Sequence, residues 1–417
     1  MDREQWRPFL KRWSEEWIAA HDPECDHPLD EETVRDGWLG FAPASDADVA
    51  AAEARLGRRL PPSLREFLLV TDGWRDAGPF VYRLAGTRDL EWLADSDEAG
   101  WIEAYTEEGE PEEGEPDDGA ILGRSLKLSL DGDACVMLLD PEDVDERGEW
   151  AAYWLSSWSG MGPERHDSFH SLMRGEFASF HALRQPPGAT RDHWDAQVEE
   201  ARRAALGGAV DDPLAVLAEA AEYGRRRAQL LRFQLLVLLG DWHTLSPYTL
   251  ISSYVDTGSE PLFGPELLPL LFTEEACGPW GRPNPALTSL EESGPESVRA
   301  LIADHRRRLR EPGFPFPYGN PEFDAAVRRV TARLTAAPEG EGTPEGEGTP
   351  ESEEARRRLG DAVWPELKDA LRWWRPLSDD HLAPIVLLAD PVLAALITPE
   401  RGRELLSVPR GDGRAKG

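Results

Sequence analysis

The chain has 417 residues, which is too long for one typical domain and predicts two or three. Its 45 basic and 79 acidic residues give a formal charge of −34, which disfavours binding to nucleic acid or anionic membranes and suits a basic protein partner. The same charge is also explained by solubility alone. Three widely spaced cysteines, no signal-peptide pattern and no membrane-length apolar run predict a reducing, cytoplasmic location without a disulfide framework.

Residues 1–39 are predicted to hold an amphipathic helix followed by an irregular segment. Within residues 2–20, bulky apolar side chains recur at three- and four-residue steps: Trp6, Phe9, Leu10, Trp13 and Trp17. Such a stripe can bind a partner helix or a membrane surface, but it more often packs against its own domain. We therefore predict that this helix contributes to its own domain's core.

Residues 48–74 are predicted to form two short helices joined by a tight elbow. Ser45 and Asp48 make a capping-box-like start, because a hydroxyl and a carboxylate three residues apart can satisfy free backbone N–H groups. Gly57 stands where a left-handed residue would end the first helix. Pro61-Pro62 then suits the first turn of the second helix, where a missing N–H costs nothing.

The spacing of residues in this elbow is similar to that of a known superfamily. The run reads Glu53-x-x-Leu56-Gly57-x-x-Leu60-Pro61-x-x-Leu64-x-x-Phe67-Leu68 and closes on Asp72-Gly73-Trp74. It resembles the signature of the SUKH superfamily, whose fungal members are described as cell-wall assembly regulators. Many bacterial members are immunity proteins that neutralise polymorphic toxins. Later landmarks extend the resemblance over residues 40–185: Leu139-Asp140-Pro141, Glu149-Trp150 and Ser168-Phe169.

Beyond the elbow, the pattern predicts strands and a closing helix. The candidate strands are Phe80–Leu84, Leu126–Leu130, Ala134–Leu139 and Glu149–Leu155. Asp131-Gly132-Asp133 predicts a hairpin turn between the second and third of them. Residues 168–184 carry an apolar stripe typical of a helix. We therefore predict an α+β fold, with a SUKH-like antiparallel or mixed sheet packed with helices over residues 40–185.

An acidic loop interrupts this domain at residues 107–119. It reads EEGEPEEGEPDDG, with dense like charge and no apolar periodicity, so it is predicted to be mobile. This insert departs from the compact form of the superfamily, as does everything after about residue 190.

The remainder of the chain is predicted to be mostly α-helical. A helical domain spans residues 190–337, and a disordered acidic linker follows at 338–354, where a Gly-, Glu- and Pro-rich hexapeptide repeats without apolar content. A helical C-terminal region covers residues 355–410. Two of its helices are predicted to begin at Asp390-Pro391 and Thr398-Pro399, each with a cap and a first-turn proline.

Motifs for catalysis or metal binding are weak in this sequence. His166 and His170 stand four apart, but Ser168 is predicted to begin a helix between them, so they need not share a face. His21, Cys25 and His27 lack a fourth ligand at any common spacing. Nucleophile elbows, phosphate-binding loops and dinucleotide fingerprints are absent. We therefore predict no catalytic, metal or cofactor-binding residues, and no cofactor.

The sequence as a whole predicts a non-enzymatic protein-binding module. The resemblance implies an immunity protein that neutralises a polymorphic toxin, and a basic toxin domain would suit the acidic charge. The alternative is an intracellular regulatory or scaffold protein of the cell-wall-assembly type, which the long C-terminal extension favours. The candidate contact residues are Glu107, Glu108, Glu112, Glu113, Asp117, Asp118, Trp74 and Trp158. For the two tryptophans, core packing is the competing and favoured interpretation.

Overall fold

The computed structural model describes residues 1–24, 26, 28–106, 117–241, 260–277, 284–311, 317–336 and 350–411. The chain forms two compact units, Met1–Asp192 with Glu222–Gly224, and His193–Ala221 with Arg225–Gly417. The five-segment division predicted from the sequence is finer than this and stays a prediction. Most of the acidic loop and most of the predicted linker lie outside the described residues, as do Cys25 and His27.

The first unit contains both helices and strands. Its helices are α1 (Arg3–Ala20), α2 (Glu31–Asp36), α3 (Asp46–Leu56), α4 (Pro62–Leu68), α5 (Gly100–Tyr105), α6 (Asp118–Arg124) and α7 (Phe169–Arg184), with a 3-10 turn at Leu93–Asp95. Its strands are β1 (Trp74–Arg75), β2 (Val81–Leu84), β3 (Glu91–Trp92), β4 (Leu126–Lys127), β5 (Ser129–Gly132), β6 (Cys135–Val144), β7 (Trp150–Ser156) and β8 (Glu164–His166). The predicted α+β class is confirmed.

The described strands pair into two antiparallel sheets. One has the order β1-β2-β5 and the other β3-β4-β6-β7-β8. The sequence predicted one strand over Leu126–Leu130, but this segment divides at Leu128. β4 pairs with β6 in the larger sheet, whereas β5 pairs with β2 in the smaller one. The predicted pairing around Gly132 therefore holds for β4, where Leu126 lies opposite Leu139, but not for β5, which pairs with β2 instead of β6.

Helices cover both faces of the larger sheet. On one face, α5, α6 and the 3-10 turn pack on alternate residues of β6 and β7. The buried members of this cluster are Leu93, Ile121, Leu122, Val136, Leu138, Ala151, Tyr153 and Leu155. α7 packs on β7 from the other side. Because successive side chains of a strand point to opposite faces, Trp154 and Ser156 lie on the face opposite Ala151, Tyr153 and Leu155.

The N-terminal helix α1 packs within its own unit, as predicted. Trp6 is fully buried, with its ring 5.4 Å from Phe67 of α4 and 5.7 Å from Phe169 of α7. Asp2 caps α1 through a capping box with Gln5. Aromatic contacts therefore join α1, α4 and α7 into one layer.

Helices dominate the described part of the second unit. The boundary between the two units falls within the helix Ala189–Leu206. The other helices are Asp211–Glu222, Arg226–Leu238, Glu260–Leu262, Leu268–Cys277, Pro285–Ser293, Glu296–Arg308, Pro321–Thr335, Pro350–Ala370, Pro391–Leu396 and Pro399–Leu406. A π-helical turn lies at Phe263–Leu267 and a 3-10 turn at Ile385–Ala389. Asp390 and Thr398 cap the last two helices, as the sequence predicts. The helix at Pro350 begins inside the range predicted as linker.

Candidate partner-binding surface

The residues of the elbow signature have structural roles. Glu53 Oε1 accepts a hydrogen bond from the backbone N–H of Leu60 at 2.9 Å and one from Arg65 Nη1 at 2.6 Å. This carboxylate therefore spans the turn between α3 and α4. Gly57 ends α3 with φ of 70°, a conformation that glycine adopts without strain. The signature thus explains the geometry of the elbow.

Trp74, one of the predicted contact residues, belongs to the core. Its side chain is 0% exposed, and its ring meets Trp38 at 5.2 Å and Trp13 at 6.2 Å, both edge-on. The preceding Asp72 accepts hydrogen bonds from the backbone N–H and the hydroxyl of Thr87, at 2.5 and 3.1 Å. Core packing, the favoured interpretation of Trp74, is therefore correct, and this side chain is not accessible to a partner.

Trp158, the other predicted tryptophan, is 53% exposed. It lies in the loop between β7 and β8, where its indole N–H donates to the backbone oxygen of Asp133 at 3.1 Å. Its ring lies 5.0 Å from that of Phe80 and 5.7 Å from that of Trp154. An aromatic ring that is held in place on one side and open on the other needs little ordering when a partner binds.

Both ends of the acidic insert reach this same loop. At the end of α5, the Tyr105 hydroxyl approaches the backbone oxygen of Met161 at 3.5 Å. Where the chain is described again, Asp117 caps α6 by accepting from the N–H of Ala120 at 2.8 Å. A Cβ placed on Gly162 would lie 2.5 Å from Oδ2 of Asp118. The structure therefore brings the end of α5 and the start of α6 to residues 161 and 162 of the loop that carries Trp158.

We call this region the Trp158 surface and define it by Asp117, Asp118, Asp133, Trp158 and Met161. Met161 is exposed, as are Asp117 and Asp133. The sequence did not single out Asp133 or Met161, because nothing local indicates which loops meet. The predicted contacts Glu107, Glu108, Glu112 and Glu113 lie outside the described residues.

Residues 43–175 match the family model described as the SMI1 / KNR4 family (SUKH-1). This region is a SUKH-1 domain. The match runs from the start of the elbow into α7, lies inside the predicted range of 40–185, and covers less than half of the chain. Comparisons with curated proteins and with solved structures give no match. The SUKH-1 assignment supports a protein-binding, immunity or regulatory role in general.

The two histidines weighed as metal ligands lie on different elements of the SUKH-1 domain region. His166 ends β8 and His170 lies in the first turn of α7, whose N-cap is Ser168. Burial lowers the pKa of His170 to about 4, and its Nε2 has no hydrogen-bond partner. Among the residues that the structure describes, no group of three or more histidine, cysteine or acidic side chains is arranged to hold a metal ion. Over the same residues, no helix combines the length and the apolar character that crossing a membrane requires.

A buried carboxyl group, Glu176, lies between α7 and the sheet. Its side chain is 8% exposed, and its Oε2 has no hydrogen-bond partner. A Cβ on Gly78 would lie 1.8 Å from this oxygen, so only glycine fits opposite it. Burial raises the pKa of Glu176 to about 8, and the charge of Glu164 adds to the rise. Glu176 is therefore mostly protonated at neutral pH.

Sequence reasoning missed Glu176, although the sequence contains a signal for it. Glu176 stands four residues after Leu172 and three after Met173, on the apolar stripe of α7. Glu16 likewise follows Trp13 by three residues on the stripe of α1. A carboxylate at an apolar position of a helix predicts a buried acid, whose partner only the tertiary structure can identify.

Proposed function

We propose that this chain is a non-enzymatic binding protein whose SUKH-1 domain recognises another protein through the Trp158 surface. In its most specific form, the proposal is that the chain is an immunity protein that binds and neutralises a polymorphic toxin. The observation that carries the proposal is the half-exposed ring of Trp158, which contacts Phe80 and Trp154 and lies in the loop that both ends of the acidic insert reach. Exposed, pre-ordered tryptophans are enriched among the residues that dominate interface energetics.

Electrostatics support a basic partner for this surface. The chain carries a formal charge of −34, and acidic residues are concentrated in the insert, at 107–118. A surface of this sign accelerates encounter with a positively charged protein and repels acidic ones. Covering a basic substrate-binding groove would neutralise a toxic enzyme without any chemistry in the inhibitor. The acidic contacts proposed for this role are Glu107, Glu108, Glu112, Glu113, Asp117 and Asp118.

The alternative function is that of a regulatory or scaffold protein. The second unit favours it, because this unit is at least as large as the SUKH-1 domain and has a buried core of its own. Such a unit provides surface for further partners that a toxin inhibitor does not need. Binding of several unrelated cellular proteins, with no protection against any toxin, would favour this alternative.

Co-production with toxin domains encoded in adjoining genes tests the immunity proposal. The full chain is expected to restore growth of a host that produces its cognate toxin. Trp158→Ala should reduce surviving colonies by at least roughly tenfold, because loss of a central interface tryptophan typically costs 2 kcal/mol or more. Trp373→Ala is the matched control, since Trp373 is 41% exposed in the second unit.

The salt dependence of association provides a second readout for the same pair. The association rate should fall as ionic strength rises. This dependence on salt should weaken in a variant that combines four substitutions: Glu107→Gln, Glu108→Gln, Glu112→Gln and Glu113→Gln. Protection that survives Trp158→Ala unchanged would overturn the role of the Trp158 surface. A complex whose association rate ignores salt would overturn the role of the acidic residues.

A further inference from the structure

Trp158 exposes about half of its aromatic side chain, at 53%. The rings of Phe80 and Trp154 lie 5.0 and 5.7 Å from that of Trp158, and the indole N–H is used by the backbone of Asp133. The exposed half of this side chain therefore offers aromatic surface and no free hydrogen-bond donor. A tryptophan face is the strongest aromatic acceptor of a cation in proteins.

Asp133 is an acidic residue that contacts this indole through its backbone. It follows β5, its side chain is exposed, and its backbone oxygen holds the indole at 3.1 Å. Asp118 provides further negative charge at the other end of the Trp158 loop, next to Gly162. An exposed tryptophan in a segment that also carries acidic residues favours a cation over a neutral or acidic group, through cation–π and charge attraction.

The nearest arginine along the chain is engaged elsewhere. Arg165 follows the Trp158 loop in β8, where its Nε donates to Asp143 at 2.8 Å and its Nη1 to Asp167 at 3.0 Å. In the second unit, by contrast, the exposed ring of Trp373 already carries a guanidinium of this chain, with Arg372 at 5.0 Å from its centre. The chain thus shows this stacking at Trp373, while the guanidinium of Arg165 is bound away from Trp158.

We propose that the Trp158 surface binds an arginine side chain of a basic protein partner, with the guanidinium stacked on Trp158 and paired with Asp133. Arginine fits better than lysine, because its planar group can stack on the indole and still direct N–H donors sideways to a carboxylate. This inference rests on the proposed function, in which this surface receives the partner. It adds the chemical group that the surface recognises.

Fluorine NMR of the full chain labelled with 5-fluorotryptophan tests the proposal. The Trp158 resonance is identified as the one missing from Trp158→Phe. Titration with Nα-acetyl-arginine amide should shift this resonance, whereas the citrulline analogue, which has nearly the same shape but no charge, should not. Asp133→Asn should raise the dissociation constant roughly fivefold, as expected for an exposed ion pair. The Trp373 resonance is the internal control and should not respond to Asp133→Asn.

The outcomes separate this inference from the proposed function. An equal response to arginine and citrulline amides, or no effect of Asp133→Asn, overturns arginine recognition even if Trp158→Ala abolishes protection against a toxin. An equal response to Nα-acetyl-lysine amide overturns the preference for a guanidinium. The Trp158 resonance could respond selectively to the arginine amide while protection against the toxin is unchanged in Trp158→Ala. This result would show a cation site that the toxin does not use, and would overturn the proposed role of this site in partner binding.

Discussion

Each unit of the molecule buries a glutamate–histidine pair between segments far apart in sequence. In the first unit, Glu16 Oε2 lies 3.0 Å from His181 Nε2, and Glu16 Oε1 accepts from the N–H of Thr190 at 2.9 Å. In the second, Glu266 Oε1 lies 3.2 Å from His381 Nε2, and its other oxygen accepts from the N–H of Val386 at 2.9 Å. In both units, therefore, one buried carboxylate contacts an imidazole and accepts a hydrogen bond from a backbone N–H, although the surrounding elements differ.

Among the described residues, each unit also buries an ionisable side chain without an ion pair, and the two are accommodated differently. In the first unit it is Glu176, which avoids burying a charge by keeping its proton. In the second it is Arg410, which is 1% exposed and donates to the backbone oxygens of Leu382 and Leu406 at 2.7 and 2.6 Å. Burial lowers the pKa of Arg410 only to about 10, so it stays charged at neutral pH. A carboxyl group can adapt by protonation, whereas a guanidinium needs oxygen acceptors.

The largest expected effect comes from breaking the two pairs. Glu16→Ala and Glu266→Ala should each lower the unfolding free energy of its own unit by about 3–5 kcal/mol, the usual cost of removing one member of a buried pair. Urea-dependent pulse proteolysis, which follows fragments of the two units separately, measures this loss. Glu15→Ala is the control, because Glu15 is exposed beside Glu16. Equal losses for Glu15→Ala and Glu16→Ala would contradict the comparison.

An intermediate effect is expected at Glu176, and its sign depends on pH. The pKa of Glu176 is raised from 4.5 to about 8 in the folded state. Between these two pH values the side chain ionises in the unfolded chain but stays protonated in the folded one. The free energy of unfolding therefore falls as the pH rises through this range. Glu176→Gln should therefore leave the free energy of unfolding almost unchanged at pH 4.5 and raise that of the first unit by roughly 2–4 kcal/mol at pH 9. The upper limit is about 1.4 kcal/mol for each unit by which the pKa is shifted.

Urea titrations at both pH values measure the effect of Glu176→Gln. Glu146→Gln, at an exposed position of the same unit, is the matched control and should show no such trend. A difference between Glu176→Gln and the wild type that is the same at pH 4.5 and pH 9 would mean that Glu176 is ionised in the folded protein.

The smallest expected effect concerns Arg410. Arg410→Lys keeps the charge but loses the fork of donors, so at least one carbonyl among those of Leu382 and Leu406 is left unsatisfied. The second unit should lose about 1–3 kcal/mol of unfolding free energy. Arg410→Met removes the charge and keeps much of the volume, so its comparison with Arg410→Lys in urea titrations separates burial of charge from loss of donors. Full stability in Arg410→Lys would show that the fork geometry is unimportant.

Local signals predicted much of the fold. The capping box of Ser45 and Asp48, the left-handed Gly57 and the proline start of α4 lie where the sequence places them. The same is true of Ser168 at the start of α7 and of Asp390 and Thr398 in the second unit. Each of these signals acts within about four residues, through a side chain satisfying nearby backbone groups, so no distant partner is needed to read them.

The candidate site was predicted only in part. The sequence named Trp74 and Trp158 together, and the structure separates them, with one ring fully buried and the other half exposed. Composition and spacing treat two tryptophans alike, and exposure depends on which elements cover each ring. Asp133 was missed for the same reason, because it meets the Trp158 loop only across the fold, and Met161 was missed because its contact with Tyr105 joins segments far apart in the chain.

By itself, the sequence determined the α+β class, the SUKH-type elbow, the capped starts of several helices and the acidic character of the chain. These follow from periodicity, capping and composition, which are local or additive properties. Only the tertiary structure decided that the predicted strand Leu126–Leu130 divides between two sheets, that Glu16 meets His181, and that Trp158 stands beside Asp133. Those outcomes depend on contacts between residues far apart in the chain, where packing of the whole unit selects one pairing among many with similar local preference.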